Sequence, residues 1–299
     1  MLLTDELSRA QMDQVRGFNR AVTQRIGVLD DHYLGRNRPV GQDRVLWEIG
    51  DEGCEVRALR ARLGLDAGHA SRLLRALETA RLITVEASAG DGRVRVARLT
   101  EAGRSERTLL VGRSDELAAL ILAPLDAAQR DELVTAMRTV RRLLTTAEIE
   151  IRRVDAGSED AQRCINAYVA ELNRRSNIPY DPAAGVSAEP HEMTPPAGLF
   201  LVAYLHGAAV GCGGVKHRPG EPSEIKRMWV AEPARGLGIA RRLLAELEGD
   251  AVNSGARSTR LETNGTLVEA IAMYRASGYV EVEPFNDEPF AQHWFEKRL

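Results

Sequence analysis

The sequence predicts an α+β chain of two domains, mostly helical over residues 1–147 and mixed α/β over 148–299. Apolar residues at helical spacing dominate as far as Thr146, interrupted by one alternating stretch. Strand-like alternation takes over from Glu148. Deep in the second half a glycine turn, Arg235-Gly-Leu-Gly-Ile-Ala240, joins an apolar strand to a helix.

A length of 299 residues suits two domains, each with its own core, and 44% hydrophobic with 28% charged residues fits a globular chain. No apolar run approaches the roughly 20 residues of a membrane-spanning helix. The N-terminus (Met1-Leu-Leu-Thr-Asp-Glu-Leu-Ser8) lacks the order of a signal peptide. Cys54, Cys164 and Cys212 are odd in number and far apart, which argues against a disulfide scaffold and for a cytoplasmic chain with reduced thiols. The net charge of −3 divides into +2 for residues 1–147 and −5 for the rest, so local pattern must carry any argument about polyanions.

Residues 4–29 read as one long helix, with Leu7, Met12, Val15, Phe18, Val22 and Ile26 near helical spacing. The turn-rich Gly35–Gly41 ends it. Shorter helices are expected at about 42–50, 55–63 and 66–80, the last capped by Asp66. Leu82–Glu86 and Arg93–Leu99 alternate around Ala89-Gly-Asp-Gly92, a hairpin signal. Helices over 101–122 and 126–147 follow, parted by Pro124.

In the second half Glu148–Val154 reads as a strand, Glu159–Arg174 as a helix and 176–196 as a loop. Strands over Leu199–Leu205 and Ala208–Lys216 flank His206-Gly207, and Glu224–Val230 is the strand that enters the glycine turn. Such a turn offers unpaired N–H groups at the positive end of a helix, which suits a pyrophosphate. A side chain at Gly236 or Gly238 would block the anion or forbid the turn. Beyond it come strand Thr259–Thr263, helix Leu267–Ser277, Gly278 as its C-cap, and strands at 279–282 and 293–299.

Three pieces in this order resemble the GNAT superfamily of acyl-CoA-dependent N-acetyltransferases. They are the Glu224-x-Lys-Arg-Met-x-Val230 strand, the R-x-x-G-x-A turn (Arg235, Gly238, Ala240) and the A-x-x-M-Y-x-x-x-G-Y segment from Ala270 to Tyr279. The resemblance implies a central, largely antiparallel sheet whose strands 224–230 and 258–263 splay apart, and acetyl-CoA as co-substrate with no metal. Met228, Trp229 and Val230 would meet the pantetheine arm, Gly236, Leu237, Gly238, Ile239 and Ala240 the pyrophosphate, with Arg235 adding charge. Glu224 is the candidate base, with Glu262 its rival, and Tyr274 the candidate acid that protonates the departing thiolate. Asn264 would hold the pantetheine or orient the helix that follows. The loop 176–196, edged by Arg174, Arg175, Glu189, His191 and Glu192, is expected to wall the acceptor amine.

The helix–helix–hairpin order of residues 42–100 is that of a winged helix-turn-helix. Asp91-Gly-Arg-Val-Arg-Val-Ala-Arg-Leu-Thr-Glu-Ala-Gly103 and Leu65–Glu78 resemble the wing and recognition helix of the MarR family. That resemblance implies a homodimer built on the first helix and the last two, with operator DNA as partner. His69, Ser71, Arg72 and Arg75 would read DNA from the helix, and Arg93 and Arg95 from the wing. The chain departs from the family at Arg81, where glycine is usual. Taken together, the sequence reads as a regulator fused to an N-acetyltransferase acting on a primary amine. The alternatives are a regulator whose second domain senses acyl-CoA without turnover, and an enzyme whose winged helix only dimerises.

Overall fold

Asp66 starts the helix around which the first half is organised: its carboxylate accepts the His69 N–H at 2.8 Å and caps α4, Ala67–Thr79. The computed structural model of the chain describes residues 8–27, 33–35, 38–88, 90, 92–176 and 188–299. The expected helix start at 4–7, its end at 28–29, the turn residues Arg36 and Asn37, Ala89 and Asp91 of the hairpin turn, and loop residues 177–187 lie outside them. The chain divides into two compact units, Met1–Ala136 and Met137–Leu299. The division falls inside a helix, whereas the sequence alone places it at that helix's end.

In the first unit α1 (Arg9–Arg25), α2 (Val40–Ile49), α3 (Val56–Leu63) and α4 are followed by β2 (Ile83–Ala87), β3 (Arg95–Leu99) and α5 (Glu101–Leu122). The two-residue strand β1 (Cys54–Glu55) pairs with β3, so the sheet order is β1-β3-β2; two residues are too few for periodicity to reveal. Leu73, Leu74 and Leu77 of α4 share a core with Val45, Leu46 and Ile49 of α2, Leu59 of α3, and Ile83, Ala97 and Leu99 of the hairpin. Arg81 closes α4 at φ 58°, the left-handed conformation that explains why glycine suits this position. Gly103 is required by contact: a Cβ there would lie 1.9 Å from the Leu82 carbonyl oxygen. No residue of α1 or of α6 (Ala127–Ala147) is buried, and Met12, Val15, Phe18 and Val22 are exposed along α1.

The second unit is a seven-stranded sheet in the order β4-β5-β6-β7-β8-β10-β9. Its strands are β4 (Glu150–Val154), β5 (Gly198–Leu205), β6 (Ala208–Lys216), β7 (Ser223–Val230), β8 (Ser258–Thr263), β9 (Val280–Val282) and β10 (His293–Arg298). Every pairing is antiparallel except β7 with β8. His206 and Gly207, both at positive φ, make the tight β5–β6 turn. Helices α7 (Glu159–Arg175), α8 (Ile239–Asn253) and α9 (Val268–Ala276) complete the unit. Its largest core joins Leu199, Leu201 and Val215 of the sheet to Leu243, Leu244 and Leu247 of α8 and to Ile271 and Tyr274 of α9.

Candidate functional site

Strands β7 and β8 part company almost where they meet. They pair only at Ser223↔Thr259 and Glu224↔Arg260, so the β8-facing edge of residues 225–230 has no ladder partner. On its other edge β7 stays paired with β6, with a register shift between Cys212 and Gly214. Opposite that shift Arg227 adopts φ 57°. A bulged, left-handed residue bends the strand away from its neighbour, the local cause of the opening.

Two cavities occupy the opening. The larger, about 690 Å³, has Met228, Trp229, Val230 and the whole turn from Arg235 to Ala240 in its wall. The narrower is walled by Lys226, Arg227, Glu262, Thr263, Asn264 and Phe290. Tyr168, Leu172, Met228, Leu267, Ala270 and Tyr274 belong to both, so the two chambers share a wall.

Within the turn, Gly236 and Gly238 sit at φ 79° and 77°, a conformation that side-chain-bearing residues adopt only with strain. A Cβ at either would meet nothing within 4 Å, so the space before them is open. The first N–H groups of α8 have no preceding carbonyl to bind; Arg242 N–H to Gly238 O, 3.1 Å, closes the first turn. Open space, free amides and the positive end of a fifteen-residue helix fit a diphosphate.

Arg235 is less free than expected. Its Nη2 lies 2.5 and 2.6 Å from the two oxygens of Glu171, and its Nε donates to Val230 O at 3.1 Å. Asn264 orients rather than reaches: Oδ1 accepts from Thr266 N and Oγ1, and Nδ2 donates to Phe290 O at 2.8 Å. It borders the narrower cavity and not the larger one.

The two candidate bases separate clearly. Glu224 is 2% exposed and borders neither cavity. Burial raises its carboxyl, but the Arg260 hydrogen bond at 2.7 Å, with Lys226 and Arg218 nearby, outweighs that and leaves it below the usual range. Glu262 lies in the wall of the narrower cavity, hydrogen-bonded through Oε1 to Lys226 Nζ, while its Oε2 is buried without a partner. Tyr274 is 5% exposed and rests against Tyr279 at 5.8 Å and Phe295 at 6.2 Å between ring centres. Burial, then the Glu262 carboxylate, pushes its phenol above its ordinary value, so it keeps its proton at neutral pH.

On the first unit His69, Ser71, Arg72 and Arg75 are exposed at the start and along one face of α4, and Arg93 and Arg95 are exposed on the hairpin. Arg95 also donates to Val85 O at 3.4 Å. The neighbouring Arg98 is committed to the fold, donating to Glu52 O at 2.9 Å.

Residues 36–94 match the MarR family, and residues 166–279 match the family described as Acetyltransferase (GNAT) family. An IAA acetyltransferase of Azospirillum brasilense is 34% identical over 125 residues, covering 42% of this chain and 82% of the relative. An uncharacterized N-acetyltransferase of Schizosaccharomyces pombe is 37% identical over 98 residues, 32% of this chain and 60% of the relative. A MarR-family transcriptional regulator from a Rhodococcus species, 22% identical with a TM-score of 0.38, covers 46% of this chain and 97% of its own. The two family matches fall one on each compact unit, and the bacterial relative is matched over most of its length. The chain therefore belongs to the GNAT family of N-acetyltransferases, and ahead of that fold residues 36–94 are similar to the MarR family.

Proposed function

We propose that the second unit transfers an acetyl group from acetyl-CoA to a primary amine, and that the first binds operator DNA as a homodimer. The observation that carries the enzymatic reading is Tyr274 in the wall common to both cavities, with the anion cradle on one side and Glu262 on the other. Acetyl-CoA supplies the acetyl group as a thioester. Residues 236–240 hold its diphosphate and the unpaired edge of Met228–Val230 its amide arm. In the narrower cavity Glu262, directly or through water, takes the proton of the acceptor ammonium. As the new C–N bond forms and the C–S bond breaks, Tyr274 gives its phenolic proton to the departing thiolate, and the surplus proton left on the acylated nitrogen passes through solvent to restore the phenol. Glu262 is preferred to Glu224 because it borders the cavity, whereas Glu224 is buried away from it and engaged by Arg260.

DNA binding is supported by the exposed arginines of α4 and the hairpin, and dimerisation by the unburied apolar face of α1. Calorimetry of acetyl-CoA with the full chain and with Gly238→Glu tests the donor site. Binding to the wild type that is lost in the variant, which sets a carboxylate where the diphosphate belongs, supports it. No binding to the wild type removes it.

A further inference from the structure

Glu171 is the most heavily hydrogen-bonded carboxylate of the larger cavity, yet it lies on α7, outside the segments that carry the family resemblance. It is 6% exposed and accepts from three donors. Arg235 Nη2 reaches both oxygens, Arg175 Nη2 lies 2.9 Å from Oε1, and the Trp229 indole N–H donates to Oε2 at 2.9 Å. Arg175 in turn donates to Glu269 at 2.9 Å on α9, the helix that bears Tyr274. One carboxylate thus ties α7 to the end of β7, to the stem of the glycine turn and, through Arg175, to α9.

Such a buried charge is costly unless fully paired, and here its donors pair it. The way Arg235 is held points further. Glu171 takes its Nη2 and Val230 O takes its Nε, so the guanidinium is fixed in the wall of the larger cavity, which residues 236–240 also line. Trp229 and Val230, the strand edge offered to the amide arm, are clamped by the same two residues. We propose that Glu171 is the positioning residue for acetyl-CoA: it presents Arg235 to the diphosphate and fixes the receiving edge of β7, without touching the reacting atoms. This rests on the donor reading above.

The test is acetyl-CoA calorimetry on the full chain as wild type, Glu171→Gln, Arg235→Gln and the double variant, with steady-state kinetics and indole fluorescence alongside. Glu171→Gln should raise Kd and KM for acetyl-CoA about tenfold. Its kcat at saturation should stay within about threefold. Because part of the effect of Glu171 runs through Arg235, the double variant should bind less weakly than the product of the two single penalties. Trp emission should shift in Glu171→Gln and stay put in Arg235→Gln. An unchanged Kd, or penalties that multiply in the double variant, overturns the assignment while leaving the donor site standing. Failure of the wild type to bind removes the donor reading itself. If Glu171→Gln does not fold by circular dichroism, Glu171→Asp, which withdraws the carboxylate by one methylene, is held to the same outcomes.

Discussion

The Tyr274 phenol and the Glu262 carboxylate face the same narrow chamber, and the carboxylate helps hold the phenol in its protonated form. The pair proposed as acid and base thus lines one chamber. Tyr274→Phe should lower kcat by about 10²- to 10⁴-fold while acetyl-CoA affinity changes little. Calorimetry and steady-state kinetics on the same preparation check both halves, and an equal loss in both would assign Tyr274 to binding instead.

Glu262→Gln and Glu224→Gln should differ in kind. The first should depress kcat while leaving acetyl-CoA affinity nearly unchanged. The second should leave most of the rate but cost about 3 kcal/mol of stability, because Arg260 and Lys226 lose a buried partner. The Glu224 carboxyl is lowered in the fold, so its contribution is present above its ordinary value of 4.5 and fades as pH falls below it. Urea unfolding at pH 7 and pH 4 should show the wild-type advantage over Glu224→Gln shrinking at the lower pH.

Alkaline stability should be limited by buried phenols. Burial, then the hydrogen bond to Asp160, pushes Tyr204 up to about 12 from 10.0. A raised pKa gives stability that is whole below pH 10 and lost as pH climbs toward 12. Tyr204→Phe should flatten the fall of the urea midpoint between pH 9 and about 11; a parallel fall would remove Tyr204 as its cause.

Arg81→Gly should stabilise the first unit by about 1 kcal/mol, since it relieves the left-handed arginine. Trp47, the tryptophan of that unit, follows its unfolding in urea. Gly103→Ala should do the opposite, because its methyl collides with the Leu82 carbonyl.

DNA binding should weaken in Arg72→Ala and in Arg93→Ala, the salt slope of the affinity flattening by about one in each. Arg98→Ala should instead lower the unit's stability, its guanidinium being spent on Glu52 O. Fluorescence anisotropy against a labelled duplex at several salt concentrations separates the cases.

Much of this was legible in the residues. Asp66 announced α4, and the glycine turn the start of α8. What stayed hidden depends on distance along the chain. Glu171 and Arg235 are 64 positions apart, and nothing in either neighbourhood says that they meet. The resemblance put Glu224 ahead of Glu262, and nothing in either strand reverses that order. Alternation assigns a face but cannot say where two strands separate, and they separate just past Glu224. The short β1 carried no period at all, being recruited by the edge of β3.

The wall shared by the two chambers also bears on the order of events. On the proposed reading, a donor lodged against the glycine turn leaves the chamber beside Glu262 open to an amine while the thioester is still in place. Such an enzyme works through a ternary complex: its double-reciprocal plots intersect, and no acetylated protein accumulates when the amine is withheld.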